Sequence, residues 1–146
     1  MDITQIIDPL NKPQRQAVCS EAQNTLVLAG AGSGKTRVLV HRIAWLVQVE
    51  HVSPYSILAV TFTNKAAGEM RIRIENLLKT PVRNMWVGTF HGLAHRLLRM
   101  HWKDAGLREN FQIIDSDDQQ RLLKRIMKEM GLDEKQRPAR EAQWFI

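Results

Sequence analysis

The sequence predicts an α/β fold in which a parallel sheet comes first and a mostly helical part follows it. Three short apolar runs, at residues 25–29, 57–62 and 86–90, have the length and composition of buried strands. A stretch with helical spacing follows each run, and strands that alternate with helices in this way imply right-handed crossovers within a parallel sheet. Beyond Asp104 the character of the sequence changes and helical signals dominate.

The elements of the first part follow one another closely. Thr25–Ala29 is an apolar run that ends in glycines, which is typical of a strand buried in a parallel sheet. A helix is predicted from Lys35 to about Gln48, and Ser53-Pro54 ends that region. Asn64 is placed to cap a second helix that runs to about Lys79. A third helix is expected from His91 to about Lys103.

The second part of the chain predicts two helices. Ser116 and Gln119 form a capping-box pattern at the start of the first. An apolar stripe follows at helical spacing, and we expect it to be core: Leu122, Leu123, Ile126, Met127 and Met130. Another helix begins near Glu141, and the sequence stops inside it at Ile146. We therefore expect these residues to be part of a longer protein.

The charge distribution suggests an anionic partner. The chain has 146 residues, enough for one small domain, and a net charge of +6. Residues 51–100 hold 7 basic and 2 acidic side chains, so most of the excess lies in the middle third. A basic balance favours nucleic acid before membrane. A solvated surface explains the same counts about equally well.

Composition also indicates a compartment. Cys19 is the only cysteine, so an internal disulfide is impossible, and this fits a reducing environment. No apolar run approaches the ~20 residues that a membrane helix needs, and the N-terminus lacks the layout of a secretory signal. We expect a cytoplasmic protein without a membrane partner.

The strongest motif is a glycine-rich loop between the first predicted strand and the first long helix. Glycines let successive backbone amides point into one hollow, and the helix N-terminus adds free N–H groups, so such a loop binds a triphosphate. Lys35 would reach the β- and γ-phosphates, and the Thr36 hydroxyl would complete the Mg²⁺ shell. Alanine replaces the usual first glycine. The motif reads Ala29-Gly30-Ala31-Gly32-Ser33-Gly34-Lys35-Thr36.

This loop alone does not define the reaction, because kinases, GTPases, transporters and helicases share it. A GTPase would need an Asn-Lys-x-Asp motif, and Asn64-Lys65-Ala66-Ala67 lacks the aspartate. A small P-loop kinase remains an alternative, although no lid-like arginine cluster is evident.

Three further segments accompany the loop: Leu10-Asn11-x-x-Gln14-x-x-Ala17-Val18, Ala59-Val60-Thr61-Phe62-Thr63-Asn64-Lys65-Ala66-Ala67 and Trp86-Val87-Gly88-Thr89-Phe90-His91-Gly92. With the loop they resemble motifs Q, I, Ia and Ib of superfamily-one DNA helicases of the UvrD/Rep/PcrA type. The resemblance implies a P-loop NTPase fold with a RecA-like parallel sheet. Residues 1–90 would be the N-terminal part of ATP-binding domain 1A, and residues 91–146 the start of an incomplete, mostly helical domain 1B.

The resemblance also implies a nucleotide site. Gln14 is similar to the family's adenine reader, and a glutamine amide offers the donor and the acceptor that this base edge needs. Arg37, directly after the loop, would help to hold the nucleotide. The implied cofactors are ATP and Mg²⁺. An exposed polar helix residue and a surface arginine are the plain alternatives.

A single-stranded DNA site is implied at the ends of the second and third strands. Aromatic rings there would stack on bases, and hydroxyls, amides and cations would meet phosphates. Taken singly, either phenylalanine would more often be a core residue. The residues concerned are Thr61, Phe62, Thr63, Asn64, Lys65, Thr89, Phe90 and His91.

The same resemblance implies an ATP-dependent 3′–5′ DNA helicase that acts in repair and replication on single strands and single/double-strand junctions, with repair proteins as possible partners. An acidic motif and arginines for hydrolysis are not evident within 146 residues. We therefore expect this part of the protein to bind ATP and DNA without hydrolysis or unwinding. The alternative is a nucleotide-binding module or small kinase without a role on DNA.

Overall fold

The computed structural model describes residues 3–132 and 138–145. The chain divides into two compact units, Met1–His101 and Trp102–Ile146. The domain boundary predicted between residues 90 and 91 stays a prediction. The first unit contains helices α1 (Thr4–Ile7), α2 (Lys12–Val18), α3 (Lys35–Gln48), α4 (Asn64–Leu78) and α5 (Phe90–Met100), a 3₁₀ turn (Pro54–Ser56), and strands β1 (Leu58–Thr61) and β2 (Trp86–Thr89).

Strands β1 and β2 form a two-stranded parallel sheet. Leu58 lies opposite Trp86 and Thr61 opposite Thr89, so the two strands end level with each other. Helix α4 connects them, which confirms the predicted parallel pairing through a helix. Because side chains alternate between the faces of a strand, Ala59 is buried while Leu58 is exposed.

The prediction of a strand over Thr25–Ala29 is wrong. This segment has no regular structure and no place in the sheet. Leu26 and Leu28 are 82% and 84% exposed. A strand exists only when its backbone groups pair with a neighbour, and within residues 3–132 and 138–145 the sheet consists of β1 and β2 alone. In the part of the chain that the structure describes, this apolar run has no pairing neighbour, and its leucines are exposed.

Helix α3 is the centre of the first unit's core. Val40, Ile43 and Ala44 are at most 2% exposed, and α3 packs against both α2 and α4. The apolar residues that recur at helical spacing along α3 therefore form its buried face, as the sequence predicts. Burying one aliphatic side chain of this size contributes about 1.5–3 kcal/mol. The other members of this core at 1% exposure or less are Ile6, Val18, Ile74 and Val87.

Polar side chains of α3 fix the N-terminal helices. The buried His41 holds the Ile6 carbonyl through Nδ1 at 2.6 Å, which makes Nδ1 the protonated ring nitrogen. Arg42 donates to the Val18 carbonyl at 2.8 Å and to the Glu50 carboxylate at 2.9 Å. The end of α2 is thus attached to α3, and this places the rest of α2 beside the loop that precedes α3.

Two helices begin one residue away from their predicted starts. Thr63, not Asn64, caps α4, because its hydroxyl accepts the Ala66 amide at 3.1 Å. Thr89 caps α5 through the Gly92 amide at 3.1 Å, so Phe90 is the first residue of that helix. Strand β2 ends at the capping residue Thr89, whereas β1 ends at Thr61, two residues before its cap, so both strands are shorter than predicted.

The second unit contains α6 (Ser116–Glu129) and α7 (Ala139–Trp144), which pack on each other. Asp115, not Ser116, caps α6 through the Asp118 amide at 2.8 Å. Gln143 of α7 donates to the Ser116 carbonyl at 3.2 Å and to Gln119 at 3.0 Å, which ties the two helices together. The helix predicted from Glu141 begins two residues earlier.

The prediction that the stripe on α6 is core is wrong for most of its members. Met127 is buried, but Leu122, Ile126 and Met130 are 41–67% exposed. One six-residue helix covers only part of an amphipathic face of 14 residues. Between residues 3 and 132 and from 138 to 145, no helix is long and apolar enough to cross a membrane.

Candidate nucleotide and nucleic-acid site

The glycine-rich loop has the backbone geometry that its composition predicts. Gly32 and Gly34 have φ values of +75° and +87°, a left-handed conformation in which a side chain is strained. Gly34 is the N-cap of α3, and Lys35 is the first residue of that helix. The loop therefore leads straight into a helix N-terminus with free amides and a partial positive charge. This arrangement favours an anion.

Lys35 contacts the loop that precedes it. Its ammonium donates to the carbonyls of Ala29 and Gly30 at 2.7 and 2.6 Å. The Ser33 hydroxyl also donates to the Gly30 carbonyl, at 2.7 Å. The ammonium is thus held inside the loop, where a charged acceptor would compete with two neutral carbonyls. The ionised donor already makes these two bonds charge-assisted, and a phosphate oxygen would add a charged acceptor.

Gln14 joins α2 to the loop. Its Nε2 donates to the Ser33 carbonyl at 3.0 Å, and its Oε1 accepts a bond from the backbone N–H of Asn11 at 3.1 Å. The side-chain oxygen of Asn11 in turn accepts a bond from the backbone N–H of Gln14 at 3.0 Å, which completes a capping box at the start of α2. These contacts place Gln14 beside the loop, close to the predicted nucleotide site.

An open cavity of about 420 Å³ lies at this junction. Gln14, the loop and Arg37 all line it, so most of the predicted nucleotide residues meet in one place. Arg73 of α4 also lines the cavity, and sequence reasoning missed it. Arg73 is 36 residues from Arg37 in the chain, and only the packing of α4 on α3 brings the two side chains together. The full lining is Gln14, Gly32, Ser33, Gly34, Lys35, Thr36, Arg37 and Arg73.

Three predicted loop residues contribute differently. Ala29 and Gly30 act through their carbonyls on Lys35 and are not among the cavity's lining residues. Ala31 is exposed and also lies outside the lining. An added Cβ at Gly30 would meet nothing within 4 Å, which agrees with the tolerance for a methyl group in this part of the loop.

The two phenylalanines predicted to stack on bases lie side by side. The ring centroids of Phe62 and Phe90 are 5.7 Å apart with an interplanar angle of 51°. Phe62 is 89% exposed and Phe90 57% exposed, so neither is a core residue. Tilted aromatic pairs at this spacing are favourable. The level ends of β1 and β2 position both rings on one edge of the sheet.

The polar residues of the same edge are partly engaged in local structure. The hydroxyls of Thr63 and Thr89 accept the capping amides, which leaves each hydroxyl hydrogen as a donor. Thr61 lies opposite Thr89 in the sheet and is half-buried. The remaining predicted residues, Asn64, Lys65 and His91, are exposed at the starts of α4 and α5. The structure thus brings Phe62 against Phe90 and Thr61 beside Thr89, and the other four residues lie next to them in the chain.

Comparison with known proteins identifies the relationship. The sequence profile of the UvrD/REP helicase N-terminal domain matches residues 10–146. The chain is 66% identical over all its 146 residues to DNA helicase II of Escherichia coli, of which it covers 20%. It is 57% identical over 150 aligned positions to DNA helicase II of Haemophilus influenzae, covering 21%. It is 47% identical over 131 residues, 90% of its length, to the ATP-dependent DNA helicase PcrA of Bacillus subtilis, covering 18%. The chain spans about a fifth of the length of these relatives.

Proposed function

This chain belongs to the UvrD/REP helicase N-terminal domain family, and on that premise we propose that it is the part of an ATP-dependent DNA helicase that binds ATP and single-stranded DNA. The observation that carries the proposal is the convergence of the glycine-rich loop, Gln14 and Arg37 on one cavity at the start of α3. The residues would then form part of a RecA-like domain 1A followed by the start of domain 1B.

The residues at the cavity fit ATP chemically. The loop amides and the α3 N-terminus would bind phosphate oxygens. Lys35 would give up its hydrogen bonds to the neutral carbonyls of Ala29 and Gly30 and bind the negatively charged phosphate oxygens instead. Thr36 would supply a hydroxyl to the Mg²⁺ that accompanies the nucleotide, and this ion would supply positive charge beside the phosphates.

The base end of the nucleotide would lie toward Gln14. The amide of Gln14 keeps one N–H and one lone pair beyond its contacts with Ser33 and Asn11, which is the pair of groups that adenine needs. Arg37 and Arg73 line the same cavity and supply positive charge. Mg-ATP carries net negative charge, so both arginines favour it there.

Single-stranded DNA would bind across the exposed Phe62–Phe90 pair. Each stacked base contributes about 1–3 kcal/mol. Lys65 and the capping threonines would meet the phosphates beside it. The +5 charge of residues 51–100 supports this assignment, because phosphate contacts dominate the affinity of proteins for DNA.

The whole protein would use these sites as a cytoplasmic 3′–5′ helicase in repair and replication, acting at single/double-strand junctions together with repair proteins. Residues 1–146 alone would bind both ligands without hydrolysis. A nucleotide-binding module or small kinase would use the cavity but would not need the exposed aromatic pair, so binding of DNA separates these functions.

Thermal melting with a Mg-ATP analogue tests the nucleotide part. A ligand at 100 times its Kd stabilises a protein by about 2.7 kcal/mol. We expect a clear rise in Tm for the wild-type chain and none for Lys35→Ala. Each rise is measured from the unliganded Tm of the same variant, because the substitution also removes the bonds from Lys35 to the Ala29 and Gly30 carbonyls. Lys128→Ala, an exposed lysine of α6, is the charge-matched control. Equal rises in wild type and Lys35→Ala would refute the assignment.

Fluorescence anisotropy with labelled oligo-dT tests the DNA part. The affinity should fall steeply as salt rises, since phosphate contacts release counterions. Absence of oligo-dT binding at low salt, together with intact nucleotide binding, would favour the module or kinase. If the chain bound neither the Mg-ATP analogue nor oligo-dT, the proposal that residues 1–146 bind ATP and single-stranded DNA would be refuted.

A further inference from the structure

Gln14 holds one particular peptide of the phosphate loop. Its Nε2 donates to the Ser33 carbonyl, and the next residue, Gly34, is the N-cap of α3. The carbonyl of Ser33 and the N–H of Gly34 belong to the same peptide plane. In a trans peptide these two groups point in opposite directions. A bond that draws the carbonyl toward α2 therefore turns the Gly34 N–H away from α2.

The other end of the Gln14 amide is fixed as well. Its Oε1 accepts the Asn11 amide, so the nitrogen rather than the oxygen must face the Ser33 carbonyl. The backbone of α2 is in turn attached to α3 through the bond from Arg42 to the Val18 carbonyl. The amide that orients the loop is thus carried by an anchored helix.

Gly34 is shaped to accept this contact. A Cβ built at Gly34 would lie 2.7 Å from Gln14 Nε2, closer than real Cβ contacts allow. At Gly32, which has a similar φ, an added Cβ meets nothing within 4 Å. The amide therefore packs directly against the bare face of Gly34.

We propose that Gln14 is a positioning residue for the phosphates. By donating a hydrogen bond to the Ser33 carbonyl, it fixes the orientation of the Ser33–Gly34 peptide so that the Gly34 N–H points to where the glycine-rich loop would bind the phosphates. This role rests on the proposed nucleotide site and is separate from contact with the base. It requires only the N–H of Gln14 that Ser33 already uses.

One amide would consequently serve both ends of the nucleotide. The bonds to Ser33 and Asn11 use one N–H and one lone pair of the side-chain amide. The second N–H and the second lone pair could therefore bind the base while the loop contact stays in place. A change at Gln14 would then weaken binding of the phosphates even when the ligand has no base.

Inorganic tripolyphosphate with Mg²⁺ is the ligand that separates the two roles. Its affinity can be measured by calorimetry for wild type, Gln14→Met and Gln16→Met. Methionine is neutral and similar in length but lacks the amide. Gln16 is an exposed residue of the same helix and is the matched control. We expect a loss of about 3–10-fold for Gln14→Met, the size of one hydrogen bond, and no change for Gln16→Met.

Weakening of α2 alone must also be excluded. Asn11→Ala removes the side-chain oxygen Oδ1 that accepts the backbone N–H of Gln14, but it leaves the bond from Gln14 Nε2 to the Ser33 carbonyl in place. It should lower helix stability without lowering tripolyphosphate affinity. As a second measurement, the ¹⁵N shift of Gly34 responds to hydrogen bonding at the carbonyl of the same peptide. It should move in Gln14→Met and stay in Asn11→Ala.

The outcomes are distinct. Unchanged tripolyphosphate affinity in Gln14→Met, with weaker ATP binding, would overturn the positioning role and leave the base contact. Equal losses in Gln14→Met and Asn11→Ala would reduce Gln14 to a helix cap and overturn the proposal. A wild-type chain that binds neither ATP nor tripolyphosphate would overturn the nucleotide site itself, and the positioning role with it.

Discussion

Two glycines of the phosphate loop differ in a way that predicts unequal effects of the same substitution. Gly32 and Gly34 have φ values of +75° and +87°, so alanine at either position is strained by about 1–2 kcal/mol. At Gly32 the new methyl group meets nothing within 4 Å, and the strain is the whole cost. At Gly34 it would lie 2.7 Å from Gln14 Nε2. The Gln14 side chain must then move and give up its bond to Ser33.

The expected difference follows from that bond. Losing one hydrogen bond costs about 0.5–1.5 kcal/mol. Gly34→Ala should therefore lower the free energy of unfolding by about 1.5–3.5 kcal/mol and Gly32→Ala by about 1–2 kcal/mol. In a Gln14→Ala background the extra cost of Gly34→Ala should vanish, because the side chain that it displaces is gone. The interaction is thus measured by a double-mutant cycle.

Urea denaturation followed by tryptophan fluorescence measures these differences. Trp102 and Trp144 lie in the second unit, so replacing both with phenylalanine makes the signal report on the first unit. With an m-value of about 2 kcal/mol/M, each 1 kcal/mol moves the midpoint by about 0.5 M. Equal midpoints for the two alanine variants, or an extra loss that persists without Gln14, would refute the packing of Gln14 on Gly34.

Four further predictions concern α4, its surroundings and Cys19. Phe62→Ala should weaken oligo-dT binding by about 1–3 kcal/mol in anisotropy titrations, whereas Ile72→Ala, an exposed apolar residue of α4, should not. Thr63→Ala removes the N-cap of α4 and should lower unfolding free energy by about 1 kcal/mol in urea. Gly68→Ala should raise it by about 0.8–1 kcal/mol, because an added Cβ meets nothing within 4 Å; a loss would contradict the open environment. Burial raises the pKa of the Cys19 thiol, against a lowering by Arg15 and Arg42. Its iodoacetamide reactivity should therefore rise at higher pH in the folded chain than in urea, and coincident pH profiles would contradict this.

The features that the sequence predicts well are those in which local chemistry decides. The glycine-rich loop and the amphipathic α3 depend on residue types within short windows, and both are confirmed as structure. The parallel pairing of β1 with β2 is also confirmed, because one helix joins these two apolar runs. The cap of a helix is predicted one residue too late where two adjacent residues are both good caps. Thr63 and Asn64 are such a pair, and the hydroxyl that reaches the amide three residues on decides between them.

The features that the sequence predicts poorly depend on contacts between residues that are distant in the chain. The apolar run at Thr25–Ala29 has strand composition, but pairing is a property of two segments rather than one. The stripe on α6 has core spacing, but the amount of it that is covered depends on what packs there. Arg73 and the bond from Gln14 to Ser33 could not be found in any local window, because both arise from the packing of helices on α3.

Helix α4 carries residues of both candidate sites, which constrains how the sites can move. Its first turn holds Lys65 at the aromatic edge, and Arg73 lines the cavity at the phosphate loop. A rise of 1.5 Å per residue separates these two positions by about 12 Å along the axis. Ala67, Met70 and Ile74 are buried at successive turns of the same helix, so the core holds α4 along most of its length. A movement of the whole helix would displace residues at both candidate sites.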